Sequence, residues 1–163
     1  FHSKFLPRIF INISYFKFTM KHLSGKDKKE LNTKLNPEYQ VDKKEEIIET
    51  KEGILLKDKV PYLIKLEDSS YIPHLKSIIE NTFPTIYIDN GAIPFLLKGA
   101  DMMRPGIEKI EGEFKENEIV AIKNLNYPKI IGVGKALLNS QEMNSQEKGK
   151  SIKVLHYIKD QYY

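Results

Sequence analysis

The sequence predicts an α+β fold of two small modules: an N-terminal α/β module and a C-terminal β-barrel capped by one helix. Three observations carry this. The chain has 163 residues, room for two small domains with modest cores. Short β-prone runs bounded by turn signals dominate from Val41 onward. One apolar helical stretch, Ala92 to Leu97, directly follows an alternating strand.

In the first module, residues 20–83, Ser24-Gly-Lys-Asp27 has the form of a capping box, a hydroxyl followed three residues on by a carboxylate. Leu31 and Leu35 then share one helix face, and Asn36-Pro37 stops the helix, because proline disfavours helical backbone in the residue before it. Runs at Ile47–Thr50, Ile54–Lys57 and Val60–Leu66, separated by turn residues at 51–53 and 58–59, predict an antiparallel meander. Pro73 suits the first position of a helix, and Leu75, Ile78 and Ile79 give that helix an apolar stripe to about Asn81. Lys26, Lys28, Lys29, Lys43 and Lys44 are interleaved with acids, which reads as a solvated face or, alternatively, as phosphate contact.

In the second module, residues 84–163, Thr85-Ile-Tyr-Ile-Asp89 alternates as a strand and Asn90-Gly91 opens the helix. Ala92, Ile93, Phe95, Leu96 and Leu97 make that helix apolar almost all round, so burial is expected. Gly99-Ala100 closes it, residues 101–104 are extended, and Pro105-Gly106 is a turn. Strands are expected at Glu118–Lys123, Lys129–Leu138 and Ser151–Ile158, which together make a small barrel.

Composition narrows the function. With 40% hydrophobic and 29% charged residues the chain is globular. The absence of cysteine excludes disulfides, zinc ribbons, iron–sulfur clusters and thiol nucleophiles, and the four histidines have no local metal-ligand spacing. No metal or cofactor is therefore expected. Residues 1–19 are aromatic-rich and acid-free and give way at Met20 to a different composition; they are expected to be an upstream extension without a fold role, the alternative being a targeting or membrane-touching segment. Taking Lys4, Arg8 and Lys17 from the 26 basic residues leaves 23 against 22 acidic ones, so any phosphate-binding surface has to be a local patch.

Asp89-Asn-Gly91-Ala92-Ile93-x-Phe95-x-x-x-Gly99-Ala100-Asp101-x-Met103-x-Pro105-Gly106-Ile107 resembles the signature of the PUA domain. Gly112, Phe114, Pro128 to Gly134, and Val154-x-His156-Tyr157-x-x-Asp160 agree with it. The His-Tyr-x-x-Asp ending, Ile72-Pro73-x-Leu75 and the lysine-rich helix start are similar to a narrower group, the stand-alone PUA proteins of archaea related to the malignant-T-cell-amplified-sequence proteins and ligatin. The resemblance implies a pre-PUA α/β domain packed on a PUA pseudo-β-barrel in a cytoplasmic, non-enzymatic protein with no membrane association. It also implies binding of structured RNA, ribosomal or transfer, and action on the small ribosomal subunit in translation initiation, reinitiation or tRNA release, with room for a protein partner.

On that reading, Gly91 and Gly99 let main-chain N–H groups approach phosphate at the corner completed by Pro105; each is equally well read as an ordinary turn or cap. Arg104 is the leading cation, with a guanidinium able to grip phosphate through two parallel hydrogen bonds. Lys98, Lys135, Lys153 and Lys159 complete the patch, and Tyr157 either stacks on an unpaired base or belongs to the barrel core. Asp89 reads as a helix cap, and no partner base or nucleophile for catalysis is found. A tRNA-recognition subunit of a pseudouridine synthase or transglycosylase is the alternative role, and a protein adaptor without RNA affinity is a third.

Overall fold

The computed structural model describes residues 20–163, so the reading of residues 1–19 lies outside the described residues. Strands β1 (Lys21–His22), β2 (Ile47–Glu49), β3 (Ile54–Lys57), β4 (Val60–Lys65) and β5 (Tyr71–Pro73) form one sheet in sequential order, every neighbour antiparallel. Helix α1 (Gly25–Asn32) begins at the capping box: the Ser24 hydroxyl accepts from Asp27 N–H at 3.1 Å and the Asp27 carboxylate from Ser24 N–H at 3.0 Å. Both otherwise orphaned donors of the first turn are thereby satisfied. Leu31 of α1 packs with Tyr39, Val41, Ile47, Leu55 and Leu63 into the first core.

The helix expected after Pro73 is not formed. Pro73 ends β5, and residues 75–83 run as turns. Side chains take the backbone donors that a helix would have paired internally. The His74 ring accepts from Lys76 N–H at 3.1 Å, and the Tyr39 hydroxyl accepts from Ile79 N–H at 2.9 Å. Tertiary partners thus outweigh a weak helical pattern of only three apolar positions.

Strands β6 (Thr85–Ile88), β7 (Met102–Met103), β8 (Ile107–Glu111), β9 (Ile119–Asn124), β10 (Tyr127–Ala136) and β11 (Lys150–Tyr157) make the second sheet, in the order β7-β11-β10-β9-β6-β8. Only β6 and β9 are parallel. The sheet wraps around Ile86, Ile88, Leu96, Val120, Ile122 and Ile152 as a pseudo-barrel, matching the expected α+β class. In this module two elements lie outside the sequence expectation, β8 and the short helix α3 (Ser140–Ser145), capped by the Asn139 side chain accepting from Glu142 N–H at 2.8 Å; in the first module β1 and β5 do.

The two modules meet through Ile64 and Ile72 on one side and Val133 on the other, and through two fully buried histidines whose rings lie 4.7 Å apart. His156 Nε2 accepts from Leu75 N–H at 3.1 Å, and its Nδ1–H donates to Asp160 at 2.7 Å. His74, with Nδ1 filled by Lys76 N–H, donates from Nε2 to the Tyr162 carbonyl at 2.7 Å. Each ring thus holds one proton, in opposite tautomers fixed by main-chain donors. Burial pushes both histidine pKa values below the ordinary range.

Candidate nucleic-acid interface

The corner between β6 and β8 is built by Asp89. Its backbone N–H donates to the Gly106 carbonyl at 2.9 Å and its carboxylate accepts from Ala92 N–H at 2.8 Å, so the chain turns sharply into helix α2 (Ile93–Leu96). Gly91 is exposed, and an added methyl would only reach ordinary contact with Asp89, so space does not demand glycine there. Gly99 is different: its φ is +74°, and a Cβ would come within 3.2 Å of the Tyr157 ring. Conformation and crowding both require the missing side chain.

Beside this corner opens a cavity of about 590 Å³, lined by Gly91, Ala92, Phe95, Met103, Pro105 and Lys150 among others, all from the second module. The corner is therefore not covered by the first module. Its walls are apolar, with Phe95 60% and Met103 47% exposed. This corrects the expectation that α2 is buried all round. The helix has four residues, of which only Leu96 is fully buried, meeting the space that Gly132 leaves open. Ala92 and Ile93 pack partly buried against the core, while Phe95 and Leu97 are left facing outward.

Arg104 also departs from expectation. Its Nε–H donates to the Met143 carbonyl at 2.6 Å and an Nη1–H to the Ile107 carbonyl at 2.9 Å, while its backbone N–H donates to Gly149. Two of the guanidinium donors, at Nε and Nη1, are thus taken within the protein, where they staple α3 to the start of β8. Arg104 shapes the corner from behind.

The predicted cations fall into separate places. Contact of Gly99 with Tyr157 brings Lys98 and Lys159, both exposed and one or two residues from the contact, into one neighbourhood at the end of the corner segment. Lys135 and Lys153 are cross-strand partners on β10 and β11 and open instead into a groove shared with the first module, together with Glu49, Glu52, Glu67 and Asp68. Lys51 and Lys65 line it too, so four carboxylates face four lysines there and the groove offers phosphate no net positive charge. Tyr157 is half-buried and packs against the barrel core. Lys150 was missed. Its side chain stands at the cavity rim, 3.7 Å from Asp101, because β11 pairs with β7 through Lys150 and Met103. That pairing of short, bulged strands has no local signature. Among the described residues, no group of three or more His, Asp or Glu side chains is placed to hold a metal.

Comparison with known proteins agrees with this geometry. The family model of the PUA domain matches residues 84–158. An uncharacterized protein of Methanocaldococcus jannaschii is 42% identical over 109 residues, covering 66% of this chain and 67% of that one. The chain belongs to the PUA-domain proteins. Translation machinery-associated protein 20 of Saccharomyces cerevisiae is 31% identical over 97 residues, and the match spans only about half of each protein, 55% and 54%. Among solved structures, a hypothetical protein of the archaeon Pyrococcus horikoshii superposes with a TM-score of 0.72 at 27% identity, over 87% of this chain and 96% of the other. That superposition extends across both sheets, so the first module shares its architecture with this relative as well as the PUA barrel. PUA domains bind RNA, and the relatives of this chain include translation-associated proteins.

Proposed function

We propose that this PUA protein binds structured RNA without acting on it chemically, through the corner from Asp89 to Gly106 and its open apolar cavity, and that it does so on the small ribosomal subunit during translation initiation, reinitiation or tRNA release. The carrying observation is that the glycine-bracketed corner is uncovered, with Lys98, Lys150 and Lys159 exposed at or near it. Main-chain donors and point charges of this kind fit sugar-phosphate, while the apolar wall of Phe95 and Met103 fits the faces of unpaired bases. Kinship with translation machinery-associated protein 20 supports the ribosomal setting. Neither an unoccupied catalytic base nor a nucleophile stands in the cavity, where Asp89 caps a turn and Asp101 pairs with Lys150.

The test is RNA affinity as a function of salt, coupled to co-sedimentation with small ribosomal subunits. Wild-type affinity should fall as salt rises, and a Lys98→Glu, Lys159→Glu double variant should lose binding with a shallower salt slope. Lys135→Glu should leave binding nearly unchanged, since that side chain faces the other groove. Binding that is insensitive to salt and to the double variant would refute the assignment of this surface.

A further inference from the structure

The β9–β10 hairpin is bound to the RNA-facing corner by three asparagines. Asn124, 3% exposed, donates one Nδ2–H to the Ile88 carbonyl at 2.9 Å and the other to Asn90 Oδ1 at 3.0 Å, while its own Oδ1 accepts from Asn126 N–H at 2.8 Å. Asn126 Nδ2 reaches the same Asn90 oxygen at 3.4 Å. A buried amide satisfied at all three positions, within the protein and at good distances, leaves the hairpin tip little freedom to move against Asn90, the residue before Gly91. Tip and corner form one rigid unit.

That unit carries large apolar side chains outward. Leu125, in a turn where small polar residues ordinarily serve, is 53% exposed, and Tyr127, which opens β10, is 48% exposed. Neither belongs to any of the three cores. Their own segment is one-sided in charge: from Asn124 to Lys135 there is no carboxylate, and exposed Lys129 stands two residues after Tyr127. An aromatic ring held on a rigid projection whose own segment carries no acid, next to a backbone-presenting corner, matches the chemistry of a base-stacking platform.

We propose that the hairpin tip is a second wall of the RNA interface, on which Tyr127 stacks against an unpaired base and Leu125 covers its neighbour, while the sugar-phosphate of the same RNA follows the Gly91 corner. The inference rests on the RNA-binding reading above and adds the class of RNA: one with bases splayed out of pairing, a loop or a single-stranded end, since a continuous duplex presents no base face to the ring. Asn124 is a positioning residue that sets the distance between the two walls.

The experiment uses a fluorescein-labelled RNA hairpin with an unpaired loop and the same sequence fully paired as a duplex, titrated with the full chain by anisotropy. Tyr127→Ala should weaken loop binding about tenfold, with Leu125→Ser weaker by a lesser factor, and Tyr127→Phe should bind as wild type. The salt slope should stay that of wild type in all three variants, because no phosphate contact is removed. Duplex affinity should be unaffected. Wild-type loop affinity in both Tyr127→Ala and Leu125→Ser, with binding still lost in the Lys98→Glu, Lys159→Glu double variant, would overturn the second wall and leave RNA binding at the corner intact. No binding of either RNA by the wild-type chain at low salt would overturn both. Because Tyr127 and Leu125 are half exposed, the variants should keep the wild-type unfolding midpoint, which the same samples report by circular dichroism.

Discussion

Removing the Asp160 carboxylate should uncouple the two modules, and the cost can be worked from its contacts. One oxygen accepts from His156 Nδ1–H at 2.7 Å and from Tyr157 N–H at 3.0 Å; the other accepts from Tyr162 and Tyr163 N–H at 2.9 and 3.0 Å. The side chain is 5% exposed and the His156 ring fully buried, so neither gains water when its partner is lost. Hydrogen bonds to a charged group contribute about 1.5–3 kcal/mol each, and a buried donor left unsatisfied costs about 1–3 kcal/mol. The four share one acceptor and do not add independently, so about 3–5 kcal/mol is expected for Asp160→Ala, a large share of a total near 5–15 kcal/mol. With a urea dependence of about 2 kcal/mol per molar, the unfolding midpoint should fall by about 2 M. Asp160→Asn, which keeps an acceptor oxygen, should lose roughly half as much. Gln161→Ala, at an exposed neighbouring position, serves as the control and should stay within about 0.5 kcal/mol of wild type. If Asp160→Ala unfolds at the midpoint of that control, the carboxylate is not the hub these distances describe.

Three further outcomes follow from the same physics. Burial lowers the pKa of both His74 and His156 in the folded state, so below about pH 6.5 the unfolded chain binds protons that the native chain refuses. Stability should be full above that pH and fall as the pH drops, by up to about 1.4 kcal/mol per pH unit per histidine, and a flat midpoint from pH 7 to 5 would contradict the two neutral rings. Gly134→Ala would drive a methyl into the Ile152 Cγ2 and against the Lys153 carbonyl and should cost about 1–3 kcal/mol in thermal unfolding; an unchanged melt would mean the strands can part there at no cost. Arg104→Ala should destabilise by about 1.5–3 kcal/mol, and Arg104→Lys should recover little, because a single ammonium cannot span the Met143 and Ile107 carbonyls as the planar fork does. Loss of RNA affinity with undiminished stability would return Arg104 to the phosphate-gripping role.

What could be read from the chain alone was local. The Ser24 capping box is a pattern within one turn, and β3 over Ile54–Lys57 is an apolar run between turn signals, so both appear where expected. The Asp89 turn follows from three adjacent residues. The turns after Pro73 were illegible because their backbone donors are taken by Tyr39, 40 residues away, and by the ring of His74. The placing of the lysines was illegible for a similar reason: which face Lys135 and Lys153 share depends on the register of β10 against β11, and their charged neighbours, acidic and basic, come from the first module. The internal bonds of Arg104 were illegible because its partners are carbonyls, which every residue carries and no side-chain motif marks. Helix α3, by contrast, left a usable signal that went unread, the Asn139 cap three residues before Glu142.

The bond from His74 to the Tyr162 carbonyl joins positions 88 residues apart. During synthesis the first sheet can assemble as soon as β5 has emerged, yet its histidine stays without this acceptor until nearly ninety more residues are made. The angle between the modules is therefore among the last things a growing chain acquires. A product cut before residue 160 would lose the His74–Tyr162 and His156–Asp160 bonds, leaving the Ile64, Ile72 and Val133 contact and the Leu75–His156 bond to hold the two sheets together.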